Sequence, residues 1–327
     1  MIAITGGGTG GHLVIAKAIK EELNKRGIKP IFIGSTYGQD KKWFSDDKGW
    51  EEVYFFDTSG VVNKKGIKKV FSLLNILKFT LKTYSIFKKH KIKKVFSVGG
   101  YSAASSSFGA ILFRKEFYIH EQNAYMGRLN KLLTPFAKRV FSTFFYNDPY
   151  PIREEFFEKA RVRNEIKTII FLGGSQGAKQ INDFAFEVAK TKKYKIIHQT
   201  GSRDFKRCQE FYEKNNLDVE YFDFNPNLID KIKEADFAVS RAGASTLFEL
   251  VSNQLPTLFI PYPYAANNHQ YYNAKWLVDK GLAFLSNEPK IKMLDVKIDI
   301  ISNKLKNINR LDGAKIIVDE ILKDKNV

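Results

Sequence analysis

Ile2-Ala3-Ile4-Thr5-Gly6-Gly7-Gly8-Thr9-Gly10-Gly11-His12 reads as a four-residue apolar strand that runs straight into a glycine loop, and Leu13 to Arg26 follows with helical spacing. A strand, glycines and a helix start together make an anion cradle. With no Cβ in the way, glycine backbone approaches a phosphate closely, and the N–H groups of a helix's first turn bring partial positive charge. The chain therefore points to a phosphate-bearing ligand at its first loop.

Gly6, Gly8 and Gly11 also satisfy the dinucleotide pattern G-x-G-x-x-G. That reading wants an acidic residue about 20 residues further on to hold a ribose. Here the second strand, Pro30 to Ile33, runs into Gly34-Ser35-Thr36 with no acid. A P-loop is excluded as well, because His12 stands where the phosphate-binding Lys would be. The remaining plain alternative is a turn that only packs helix on strand.

Short apolar runs alternate with helical stretches throughout, the pattern of parallel α/β sheets. In the first half, strands are predicted at Ile2 to Thr5, Pro30 to Ile33, Glu52 to Phe56, Lys94 to Val98, Phe117 to His120 and Arg139 to Ser142. The pattern then restarts: Lys167 to Leu172 meets a second cradle, Gly173-Gly174-Ser175-Gln176-Gly177-Ala178, and Lys179 to Lys190 reads as the following helix. Further strands are expected at Lys195 to Gln199, Val219 to Phe222, Phe237 to Ser240 and Thr257 to Ile260. The expected architecture is two Rossmann-like doubly wound domains, residues 1–148 and 149–310, facing across a cleft. A C-terminal helix over about 311–327 is expected to pack back on the first. Pro149 and Pro151 mark the linker.

Length and composition bound the class. The 327 residues suffice for two full cores, and the single cysteine, Cys208, excludes an internal disulfide. A reduced cytoplasmic protein without a signal peptide is expected. No apolar stretch reaches the roughly 20 residues that span a bilayer. The 53 Lys and Arg against 35 Asp and Glu give a net charge of +18, which suits nucleic acid, an anionic membrane or anionic substrates. No recognition-helix, zinc or RNP-type string supports nucleic acid, so no nucleic-acid partner is expected.

Two further stretches carry chemistry. Arg241-Ala242-Gly243-Ala244-Ser245-Thr246 follows a strand and continues into a helix with Leu247-Phe248-Glu249, a third anion site by the same physics. Glu249, about one turn inside, can take both ribose hydroxyls, or simply favour the helix dipole. Asn267-Asn268-His269-Gln270 opens another helix, where the amides can bind sugar hydroxyls or cap it. Gly66 to His90 reads as a helix with Phe71, Leu74, Leu77, Leu81, Tyr84 and Phe87 at helical spacing. Lys64, Lys65, Lys68, Lys69, Lys78, Lys82, Lys88 and Lys89 surround them. Such a helix either packs on the sheet or lies in a membrane interface.

Six strings, in order, resemble the MurG family of bacterial glycosyltransferases, glycosyltransferase family 28, over nearly the whole chain. They are G-G-T-G-G-H at Gly7 to His12, G-G-Y at Gly99 to Tyr101, H-E-Q-N at His120 to Asn123, G-G-S-Q-G-A at Gly173 to Ala178, R-A-G-A at Arg241 to Ala244 and H-Q-x-x-N-A at His269 to Ala274. The resemblance implies a GT-B fold and an inverting transfer of N-acetylglucosamine from UDP-N-acetylglucosamine to the C4 hydroxyl of the muramyl sugar of lipid I, forming lipid II. It puts the uracil against Phe224 and Asn225, the ribose on Glu249, the diphosphate on Ser175 and the turn of Ala244, Ser245 and Thr246 with Leu247 and Phe248 beyond it, and the sugar on Gln270. Thr9, Gly10 and Gly11 approach the donor, and Asn123 and Arg153 line the site. Another nucleotide-sugar transferase with a different acceptor is the alternative within enzymes.

An inverting transfer needs a base on the acceptor hydroxyl. His12 is the candidate, with Asp40 and Glu121 in reserve; alternatively His12 binds the acceptor's diphosphate or braces the loop. No Asp-x-Asp string occurs, so no metal or other cofactor is expected. Tyr101, Lys64, Lys65, Lys68, Lys69, Phe71 and Leu74 are expected to meet the lipid acceptor and an anionic membrane surface at the cytoplasmic face of the inner membrane. Other proteins of cell-wall synthesis are further expected partners.

Overall fold

The computed structural model describes residues 1–61, 65–225 and 227–323. They fall into two compact units, Met1–Ile152 with Leu311–Val327, and Arg153–Arg310. The first carries β1 (Ile2–Thr5), α1 (Gly10–Lys25), β2 (Ile31–Ser35), α2 (Asp40–Phe44), β3 (Val53–Phe56), α3 (Ile67–Lys89) and β4 (Lys94–Ser97), followed by α4 (Ala104–Leu112), β5 (Glu116–His120), α5 (Arg128–Leu133), β6 (Arg139–Phe141) and α6 (Thr143–Tyr146). The second carries α7 (Glu155–Glu158), β7 (Thr168–Leu172), α8 (Lys179–Lys190), β8 (Lys195–Gln199), α9 (Phe205–Lys214) and β9 (Val219–Phe222). It continues with α10 (Ile229–Ile232), β10 (Phe237–Ser240), α11 (Ala244–Ser252), β11 (Thr257–Phe259), α12 (His269–Val278), β12 (Phe284–Leu285) and α13 (Asp299–Leu305). Helix α14 (Gly313–Leu322) completes the first unit.

Each unit is a six-stranded parallel sheet, ordered β3-β2-β1-β4-β5-β6 and β12-β11-β10-β7-β8-β9. Both are the doubly wound order in which the first strand lies beside the fourth, and loops at that switch point bind ligands in this architecture. The strands are near-continuous apolar runs because helices cover both faces. Ile2, Ala3 and Ile4 of β1 are buried, as are Ile169, Ile170, Phe171 and Leu172 of β7. Helix α14 packs on α1, where the Arg26 guanidinium reaches Asp319 at 2.6 Å and Glu22 at 2.7 Å.

Most predicted elements shift by a residue at an end, and three differences from the sequence reading matter more. Helix α1 begins at Gly10 rather than Leu13, so Gly10, Gly11 and His12 form its first turn. Strand β2 starts one residue later, at Ile31, and runs two residues further, to Ser35. Strand β12 has only two residues, too few for any periodic signal, and its pairing with β11 creates it.

Helix α3 inverts the usual rule of burial. Its buried residues include Ser72, Thr80 and Thr83, while Ile67 is 71% and Phe71 62% exposed, and Val70, Leu73, Leu74, Leu77, Leu81 and Tyr84 are exposed too. The cause is the close approach of α4. Ser105 donates to the Ile76 carbonyl, and a Cβ on Gly109 would land on the Thr83 hydroxyl. A seam of small residues leaves no room for the large ones, which turn outward. Of the apolar series read at helical spacing, Phe87 alone is buried.

Candidate active site

In the first unit, the loop after β1 is held open by backbone shape. Gly6, Gly7 and Gly8 have φ of 113°, 154° and 83°. A Cβ at Gly8 would lie 2.5 Å from the Tyr101 ring, so only glycine fits there. The Gly7 N–H donates to the Gly99 carbonyl of the loop after β4 (3.1 Å), tying the two loops of the switch point together. Thr9 is the N-cap of α1, yet its hydroxyl makes no cap bond; it pairs at 3.0 Å with Nδ1 of His12 in the first turn. The other ring nitrogen, Nε2, lies 3.0 Å from the Gln122 amide nitrogen. Thr9 is exposed, and His12 is half-buried.

The two reserve carboxylates are placed differently. Asp40 is fully buried and its oxygens accept from the Gly8 N–H (2.5 Å) and the Ser35 N–H (2.9 Å). Burial pushes its carboxyl up, and these N–H donors pull it back. Glu121 is 2% exposed and accepts from the Asn123 N–H (3.0 Å), the Gly127 N–H (2.9 Å) and the Asn130 amide (2.9 Å). Burial raises its pKa also. A base must reach the proton it takes. Both carboxylates are instead clamps, Asp40 on the glycine loop and Glu121 on the Gln122-Asn123 turn, and neither presents a free oxygen. His120 is sealed beside Tyr150 with its pKa driven down to about 3 by burial, which keeps it neutral.

In the second unit, Gly174 and Gly177 take φ of 78° and 88°, and the Ser175 carbonyl accepts from the Ser202 N–H at 3.1 Å. The loop after β10 leads into α11, whose N-cap is Gly243, which has no side chain to cap it. Arg241 donates to the Ile260 (2.8 Å) and Pro261 (2.9 Å) carbonyls, and the Asn273 amide donates to the Ala242 carbonyl (3.1 Å). The turn of Ala244, Ser245 and Thr246 is thereby fixed from two sides. Leu247 and Phe248 point into the core, and Glu249 is half-buried on the opposite side of the helix. Burial pushes the Glu249 carboxyl up to about 7, with the Arg153 charge pulling the other way. Arg153 itself lies over the Phe156 ring at 5.3 Å.

Gln270, in the first turn of α12, spends its amide oxygen on the Tyr262 N–H (2.9 Å) and keeps its amide nitrogen. Phe224 is exposed beyond β9, and the Asn225 side chain accepts from the Asn227 N–H (2.8 Å). Cys208 is buried and its thiol is pushed up to about 12, which makes it inert. Among the described residues no group of three or more His, Cys, Asp or Glu could hold a metal ion.

Of the residues expected at a membrane, Lys65, Lys68, Lys69, Phe71 and Leu74 are exposed at the start of α3, and Lys64 lies outside the described residues. Tyr101 does not join that face. Its half-buried ring covers Gly8, and its hydroxyl bonds to Ser35, making it part of the glycine loop. Sequence reading missed Gln122, Asn273 and the clamp role of Asp40. The first two stand inside strings already quoted, H-E-Q-N and H-Q-x-x-N-A; for Asp40, the glycine needed at position 34 beside its carboxylate is the available signal.

Residues 2–142 match the glycosyltransferase family 28 N-terminal domain, and residues 168–315 the family's C-terminal domain. Two relatives named UDP-N-acetylglucosamine--N-acetylmuramyl-(pentapeptide) pyrophosphoryl-undecaprenol N-acetylglucosamine transferase are similar over their whole length. The one from Campylobacter fetus is 51% identical over 99% of this chain and 100% of its own, and the one from Nitratiruptor is 50% identical over 98% of each. The crystal structure of Acinetobacter baumannii MurG superposes with a TM-score of 0.78 at 25% identity, covering 99% of both chains. With two doubly wound domains in the GT-B manner and matches across both, this chain belongs to glycosyltransferase family 28.

Proposed function

We infer that the chain transfers N-acetylglucosamine from UDP-N-acetylglucosamine to the C4 hydroxyl of an undecaprenyl-diphosphate-linked N-acetylmuramyl pentapeptide, with inversion, completing lipid II for peptidoglycan. The observation that carries this reading is full-length identity of about half to transferases bearing that name. The geometry supports it: each unit offers a glycine loop and a helix start at its switch point.

In this reading the second unit holds the nucleotide. The Glu249 carboxylate takes the ribose diol, the first turn of α11 with Ser175 takes the diphosphate, Phe224 and Asn225 take the uracil, and Gln270 takes the sugar. Thr9, Gly10, Gly11, Asn123 and Arg153 complete the donor's contacts. The acceptor oxygen attacks the anomeric carbon and passes its proton to His12, while the bond from that carbon to the β-phosphate oxygen breaks and UDP leaves with the electron pair. Backbone N–H groups of the helix start, fixed before reaction, stabilise the charge that develops on the departing diphosphate. His12 alone of the three candidate bases is accessible, which favours it over Asp40 and Glu121.

The start of α3 supplies the membrane contact. Its outward apolar face beside Lys65, Lys68 and Lys69 suits an anionic lipid surface, to which each Lys adds about 1 kcal/mol. No described helix is long and apolar enough to cross a membrane. This fits a peripheral enzyme at the cytoplasmic face of the inner membrane, where cell-wall synthesis proteins are its neighbours.

The test is transfer of labelled N-acetylglucosamine to a short-chain lipid I analogue, with other UDP-sugars as controls and EDTA present. Transfer from UDP-N-acetylglucosamine to that acceptor supports the reading and its metal-free chemistry. UDP release without transfer moves the function to another acceptor.

A further inference from the structure

We propose that Gln122 is a positioning residue that selects the tautomer of His12, keeping the lone pair on Nε2 and the proton on Nδ1. The proposal rests on the reading of His12 as the base. It starts from the 3.0 Å contact between the Gln122 amide nitrogen and His12 Nε2. An amide nitrogen donates and has no lone pair to offer, so Nε2 must accept. A neutral imidazole that accepts at Nε2 carries its proton on Nδ1, where the Thr9 hydroxyl oxygen lies 3.0 Å away to receive it. Both ring nitrogens are thus assigned by their partners.

The turn that carries the amide is held. Gln122 is 7% exposed, and its neighbours on either side are locked, because the Glu121 carboxylate binds the Asn123 and Gly127 N–H groups and the Asn130 amide. The His12 ring lies against the loop after β4, where a Cβ on Gly99 would come within 3.5 Å of Cδ2 and Nε2. The groups packed around it are uncharged or already paired. His120 behind it is buried and uncharged, Glu121 is occupied by its own donors, and the α1 N-terminus opposes a second proton.

A neutral partner has a mechanistic reason. A carboxylate at position 122 would draw a proton onto Nε2 and stabilise the imidazolium, removing the lone pair that the reaction needs. The amide instead marks the place of the acceptor: the sugar hydroxyl replaces the Gln122 N–H as donor to Nε2 and then delivers its proton there.

Two readouts test this. The chain has five histidines, so ¹⁵N-histidine labelling gives a countable NMR spectrum, with His12→Gln identifying the His12 signals. The expected result is an unprotonated Nε2 and a protonated Nδ1 in the native protein, and a protonated Nε2 in Gln122→Glu. In kinetics, Gln122→Glu is expected to lose kcat about tenfold at pH 7 and to recover towards pH 9. Gln122→Met is expected to lose about threefold at every pH, and both variants keep the donor KM within about twofold. A protonated Nε2 in the native protein, or pH profiles of the two variants that superimpose, overturns the proposal. Failure of the base reading shows separately, as a His12→Ala variant that retains kcat; the NMR result then decides the tautomer by itself.

Discussion

Replacing Glu249 by Gln should make the second unit more stable and the enzyme worse. In the folded chain, burial lifts this carboxyl from its ordinary 4.5 to about 7. Between those values the native state binds a proton that the unfolded state has released, so stability falls as pH rises from 4.5 to 7 and stays low above it. At about 1.4 kcal/mol per pH unit, that gap costs the native fold about 3 kcal/mol at pH 8.5. Gln has the same shape without the charge. The variant should match the native protein at pH 4.5 and exceed it by about 3 kcal/mol at pH 8.5. Urea unfolding followed by Trp276, which lies 6.1 Å from the Phe248 ring of α11, reports this unit when Trp43 and Trp50 are replaced by Phe. UDP binding should move the other way, weakening about tenfold by calorimetry at pH 8, because a carboxylate receives two ribose hydroxyls more strongly than an amide can. Native UDP affinity should likewise decline below pH 7 as the carboxyl takes its proton. An identical difference in stability at pH 4.5 and 8.5 would refute the electrostatic argument, and unchanged UDP affinity would refute the ribose role.

Other expectations follow from the same geometry. His12→Ala should lower kcat about a hundredfold or more at saturating donor and leave UDP affinity within about twofold; equal losses in both would remove the base role. Phe71→Glu with Leu74→Glu should abolish sedimentation with anionic vesicles at low salt while shifting stability by less than about 0.5 kcal/mol, since both side chains are exposed. Retained sedimentation would remove the membrane role of this face. Gly109→Ala should cost about 1–3 kcal/mol in thermal unfolding, because its methyl meets the Thr83 hydroxyl across the α3–α4 seam; an unchanged Tm would show that the seam can open.

The parallel strands were legible because burial on both faces writes continuous apolar runs, as in Thr168–Leu172, and because glycines must follow where a loop turns at a switch point. The roles of buried polar residues were less legible. Asp40 and Glu121 look like free carboxylates in a sequence, since nothing local announces that backbone N–H groups from Gly8 and Ser35, or Asn123 and Gly127, will occupy them. The spacing in α3 correctly gave a helix but not its orientation. Which face turns inward was decided by Ser105 and Gly109, some thirty residues further along the chain.

That orientation separates two kinds of constraint within one helix. Ser72, Thr80 and Thr83 must stay small for α4 to approach, so their variation is limited by folding. Phe71, Leu74, Leu77 and Leu81 touch little of the protein's interior and can be exchanged among large apolar residues at almost no cost to the fold. The outward face can therefore diverge among large apolar side chains while the small-residue seam beneath it, and with it the packing of α3 on α4, stays fixed.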